Sequence, residues 1–158
     1  MIRTLRVLGI LGFLGLALAL GMFLWLPGSE KSRSLQPDDR NVVALGETVY
    51  RSHCAECHGQ NLEGQPNWRS RDAEGYLPAP PHDVSGHTWH HADTLLFNIT
   101  KLGTASIVGP DYKTRMLAYA DVLTDEEIIA VLSYIKSRWP KQIRRRHDRM
   151  NEAAKGRE

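Results

Sequence analysis

Two cysteines and a histidine share one five-residue run, Cys54-Ala55-Glu56-Cys57-His58, and the sequence holds no other cysteine. Several chemistries use such a pair. A disulfide framework in a small exported domain normally needs four or more cysteines. A tetrahedral zinc site needs four ligands, usually two CxxC pairs, and the remaining histidines do not stand at finger spacing. A thiol redox pair sits at a strand-to-helix junction in a βαβ context, absent here, and leaves the following histidine unexplained. The reading that uses all three side chains is covalent attachment of a c-type haem. Each thiol adds to one vinyl group of the porphyrin. The two-residue gap sets both sulfurs along one edge, and His58 reaches the iron from that side.

Such a motif must be held by its neighbours. Val42, Gly46, Val49 and Tyr50 recur on one helical face directly before it. Asp38 or Asp39, after Pro37, can cap that helix. Residues 59–87 are rich in Gly and Pro and read as a long loop. A loop of this length is uncommon in a compact domain unless it has a function or a ligand to pack on. A second helix is predicted over Asp93–Leu102, with Leu95, Leu96, Ile99 and Leu102 inward and Gly103 as its stop. Gly103–Asp121 reads as another loop. Thr124 and Glu127 then form a capping box. Ile128, Val131, Leu132 and Ile135 make the apolar stripe of the last helix, which Pro140 ends. There is no internal repeat and no strong strand signal, so the fold class is all-α, with short helices and long loops.

Taken together, the stretch from Asn41 to Pro140 resembles a class I (mitochondrial-type) monohaem cytochrome c domain. The resemblance rests on Gly46 to Tyr50 as Gly-x-x-x-aromatic before CxxCH, and on a closing helix with Tyr134 one turn after Val131. It implies the cytochrome c fold around one covalent haem c, with the two helices crossing at Gly46. It also implies a second axial ligand, a Met in the loop before the last helix. Met116 stands there, with Tyr119 three residues on. A thioether ligand raises the reduction potential relative to a second imidazole. The family often has Pro after this Met; here it is Leu117, which bears on the rigidity of the loop. By the same resemblance Trp89 would donate to a haem propionate. The carbonyl of Pro80, with Pro81 next in line, would accept the Nδ1 proton of His58, fixing its ring and raising its basicity. His82, His87, His90 and His91 cluster nearby. They are read as lining the haem edge, or as an alternative axial ligand, or as a surface copper site.

Ahead of this domain, Arg3 and Arg6 precede an uncharged run from Val7 to Leu26. As a helix that run spans about 30 Å, the thickness of a bilayer core. It ends Phe23-Leu24-Trp25-Leu26-Pro27 without a small-x-small cleavage site, which favours an uncleaved anchor over a signal peptide. The arginines place the N-terminus in the cytoplasm and export the rest. Residues 1–26 are thus the anchor, 27–37 a polar tether, 38–140 the cytochrome c domain and 141–158 a basic tail.

The formal net charge of +2 is uneven. Residues 27–140 hold 11 Lys and Arg against 15 Asp and Glu, whereas 141–158 hold 7 against 3. The basicity lies at the ends and gives no support for nucleic-acid binding, which needs a basic face on the folded domain. The tail, with Arg144-Arg145-Arg146 and Arg149, is read as a solvated helical extension, with docking to acidic lipid or an acidic protein surface as the sharper reading. The function expected is electron transfer, without catalysis, at the outer (periplasmic) face of a bacterial cytoplasmic membrane, with redox proteins in or near that membrane as partners. Two alternatives stand beside it: a haem whose labile Met116 opens a site for peroxide or a diatomic ligand, and copper handling by the His82–His91 cluster.

Overall fold

The computed structural model describes residues 34–155. The Val7–Leu26 span and most of the tether lie outside the described residues. The described residues belong to one packed unit and form helices joined by loops, with no strand among them. No helix among them is long and apolar enough to cross a membrane.

Helix α1 spans Arg40–His53. Asp39 caps it: its carboxylate accepts from the N–H groups of Asn41 (2.9 Å) and Val42 (3.2 Å), satisfying donors that the first turn cannot. α1 runs into a single turn, α2, Ala55–His58. After a long irregular segment and a 3₁₀ turn at Thr88–His90, α3 spans Asp93–Leu102. A further short helix, α4, covers Thr104–Val108, inside the stretch that reads as a loop. Its five residues are too few to display a helical period. α5 spans Asp125–Ser137, started by the predicted capping box, and α6 spans Lys141–Lys155.

The core forms where α1 crosses α5. A side chain at Gly46 would collide with the Ala130 carbonyl and come within 2.8 Å of the Tyr134 Cβ. Only the absence of a Cβ lets the two backbones meet there. Val49 and Tyr50 are buried on the same face of α1. Every residue of α5 from Ile128 to Lys136 is buried, so this helix is covered all round and not along one stripe. On α3 the buried residues are Leu96, Phe97 and Thr100. Leu95 and Ile99 are half-buried, and Leu102 is 46% exposed, against the inward set expected. Leu102 lies in the last turn of α3, next to the stop at Gly103.

The tail departs furthest from its reading as a solvated extension. His147, with 0% relative exposure, packs edge-on against Trp139, ring centroids 5.1 Å apart. Its Nε2 donates to the His91 carbonyl at 2.9 Å. Ala92, the N-cap of α3, has no side chain to accept a hydrogen bond. Asn151 supplies the acceptor instead, taking the Asp93 N–H at 2.9 Å and donating back to its carboxylate at 2.9 Å. Lys136, its side chain 5% exposed, pairs with Asp148 at 2.7 Å. Arg145 and Arg149 are exposed on α6, whereas Arg144 is half-buried and pairs with Asp38 at 2.6 Å. The packed chain also begins earlier than residue 38: Leu35 is buried, its N–H donating to Asp93 at 3.1 Å, and the Gln36 N–H donates to Ser133 at 2.9 Å.

Candidate haem site

The motif occupies the corner between α1 and α2. Cys54 ends the first helix and begins the second, its N–H donating to the Tyr50 carbonyl at 2.9 Å. The corner is fixed from inside by Tyr50, 0% exposed, whose hydroxyl donates to the Gly59 carbonyl at 2.8 Å. Neither cysteine is paired in a disulfide; Cys54 is half-buried and Cys57 exposed. Burial, and then the neighbouring Cys57, push the Cys54 thiol up to about 11, so at neutral pH it stands as the protonated thiol.

His58 is buried. Its Nδ1 lies 2.8 Å from the Pro80 carbonyl oxygen. An oxygen can only accept, so Nδ1 carries the proton and Nε2 keeps its lone pair for a metal. Burial lowers the basicity of the ring, partly offset by the Pro80 hydrogen bond, and keeps the imidazole neutral at pH 7. The carbonyl is delivered by backbone pairing across the long loop. Gly64 N–H donates to His58 at 2.8 Å, Gln65 N–H to Ala79 at 2.9 Å and His82 N–H to Leu62 at 2.8 Å. A Cβ at Gly64, where φ is +68°, would press into the Pro80–Pro81 peptide.

Met116 is half-buried in the segment between α4 and α5, its N–H donating to the Thr114 hydroxyl at 2.9 Å. Three residues on, the Tyr119 hydroxyl donates to the His53 carbonyl at 2.8 Å, just before the first cysteine. The Met116 segment is thus moored to the motif itself. Trp89 Nε1 is the only buried side-chain polar atom left without a partner among the described residues. Such an atom is costly unless a ligand satisfies it. Its ring contacts that of His90, centroids 3.7 Å apart, and the Arg146 guanidinium, 5.0 Å from its centroid.

The four clustered histidines do not converge. His82 stacks on His58, ring centroids 4.0 Å apart, and its Nδ1 meets the Thr88 hydroxyl at 2.8 Å. His87 stacks on Trp68 at 5.3 Å and meets His91 edge-on at 5.3 Å, while His90 lies on Trp89. Among the described residues no three His, Cys, Asp or Glu side chains gather as a metal site. Of the four rings only His87 and His91 face each other; His82 and His90 are turned to neighbours outside the cluster. The contacts that sequence reasoning missed are His82 on His58, Arg146 on Trp89, and the ion pairs of Arg115. Nothing in the sequence spacing joins His82 to His58 or Arg146 to Trp89.

The donor set fits a covalently held porphyrin iron: two thiols, a neutral imidazole with a free Nε2, a thioether tethered to the same corner, and an orphaned indole donor. Residues 43–139 match the family model for cytochrome c. No curated protein and no solved structure matches the chain. The family match covers more than half of the sequence and contains the whole motif, so the chain belongs to the cytochrome c family, binds haem c covalently, and is a haem-based electron carrier.

Proposed function

We propose that the protein is a membrane-tethered, extracytoplasmic electron carrier whose haem iron is closed on one side by His58 and on the other by Met116. The observation that carries this reading is the Pro80–His58 hydrogen bond, which leaves Nε2 as the ligating nitrogen beside the paired thiols. The bound haem supplies an iron that alternates between the ferrous and ferric states. Cys54 and Cys57 anchor it by two thioether bonds, so that it stays attached whichever axial ligands are in place. The Pro80 carbonyl holds the His58 ring and makes it a better donor. Met116 supplies a soft sulfur that favours ferrous iron. With His58 and Met116 both holding the iron, electron exchange would need no loss of ligand. Trp89, whose buried Nε1 has no partner among the described residues, would donate to a haem carboxylate.

The tether rests on the Val7–Leu26 span and the arginines before it. An anchor confines the haem near the membrane and raises its effective concentration towards redox partners there. The exposed basic side of α6 is the surface suited to an acidic partner or lipid headgroup.

The test is the electronic spectrum of the ferric holoprotein. A weak long-wavelength sulfur-to-iron charge-transfer band is expected. Met116→Ala is expected to abolish it while the haem stays attached, and to lower the reduction potential. Loss of the band on substitution of His87, His90 or His91, with Met116→Ala silent, would overturn the ligand assignment.

A further inference from the structure

We propose that the turn Arg71–Tyr76, in the long loop after the motif, is a clamp on the Met116 segment, and that Arg115 is the positioning residue through which it acts. The proposal rests on Met116 being the sixth ligand.

The turn is built before it clamps. One oxygen of Asp72 accepts from the N–H groups of Glu74 (3.0 Å) and Tyr76 (2.8 Å). The Asp72 N–H donates to the Tyr76 carbonyl at 2.9 Å, and Arg71 donates to the Gly75 carbonyl at 2.6 Å. This self-bonding leaves the second Asp72 oxygen for Arg115, which donates to it at 2.7 Å. The other arm of the same guanidinium donates to Glu74 at 2.8 Å. Its plane lies over the Tyr76 ring, 4.1 Å from the centroid. Lys113 donates to the Glu74 carbonyl at 2.8 Å, and Arg71 lies 5.6 Å from the centre of the Tyr112 ring. Three of the four residues before Met116 are therefore gripped by one turn.

The segment needs such a grip. Leu117 stands where the family often has Pro, and it is 69% exposed. The Met116 N–H is satisfied only locally, by Thr114, and the next mooring is Tyr119. Single exposed ion pairs are weak and salt-screened. An arginine fork that engages two carboxylates while stacked on an aromatic ring is the geometry in which they hold position. The clamp makes dissociation of Met116 depend on surface charge.

The test uses the full-length ferrous holoprotein and carbon monoxide, whose binding rate reports how often Met116 leaves the iron. The double variant Asp72→Asn/Glu74→Gln is expected to bind carbon monoxide roughly three- to tenfold faster than wild type at low salt, the scale of a cooperating pair of surface ion pairs. Raising the ionic strength is expected to speed the wild type and leave the double variant unchanged. A wild-type rate in the double variant, or no salt effect on the wild type, overturns the clamp. Absence of the ferric sulfur-to-iron band in the wild type overturns the Met116 assignment instead, and the clamp with it.

Discussion

His58 and Met116, the two proposed axial ligands, are held by groups that differ in their access to water. His58 is buried, bonded to a backbone carbonyl and overlaid by His82, whose own carbonyl accepts from the indole of buried Trp139 at 2.8 Å. Those bonds lie where water competes least, so screening hardly touches them. Met116 is held through Arg115, whose side chain is 53% exposed, and through Tyr119 at the motif. The difference teaches that one proposed ligand is fixed by the same packing that makes the fold, and the other by an addition on the surface. The histidine side should respond to changes in packing, the methionine side to charge and salt.

The largest effect should come from disturbing the histidine side. Gly64→Ala forces a Cβ into the Pro80–Pro81 peptide at a positive φ and is expected to cost about 1–3 kcal/mol. Thermal unfolding of the holoprotein measures this. The loss should be the same at low and high salt, in contrast to the clamp variants. A salt-dependent loss would erase the distinction between the two sides.

A smaller effect, set by pH, should arise at the joint between α6 and the rest. Burial, and then the nearby Lys136, hold the His147 imidazole below its ordinary range, against the pull of Asp93, the His91 carbonyl and Asp148. The unfolded chain takes up this proton near pH 6.5, whereas the folded chain resists it. The stabilisation is therefore full above about pH 6.5 and falls as the pH drops towards the folded value. The melting temperature should decline between pH 7 and pH 5 more steeply in the wild type than in His147→Gln. Equal slopes would mean that His147 does not link α6 to pH.

How much of this the sequence reveals depends on whether the cause is local. The CxxCH run, a cap at Asp38 or Asp39, the capping box at Thr124 and the bounds Asp93–Leu102 are all legible, because each is written in residues a few positions apart. Pro80 was picked by resemblance, although the backbone pairing that delivers its carbonyl spans Leu62 to His82 and has no periodic signal. The docked face of α6 was hidden by composition: seven basic residues in the last eighteen mask His147 and Asn151, which act only once α3 is beside them. Arg115 finds Asp72 across a separation of 43 residues, a pairing that no spacing rule announces.

The central claim is that this chain fills both axial positions of its iron and so passes electrons without opening a site. A reductive titration of the full-length holoprotein under carbon monoxide, at physiological salt, tests it directly. One reversible one-electron wave is expected, with carbon monoxide binding that lags far behind reduction because Met116 must first leave the iron. Formation of the carbon monoxide complex in step with reduction, with no lag for loss of Met116, would contradict that claim and make the haem a ligand-binding centre.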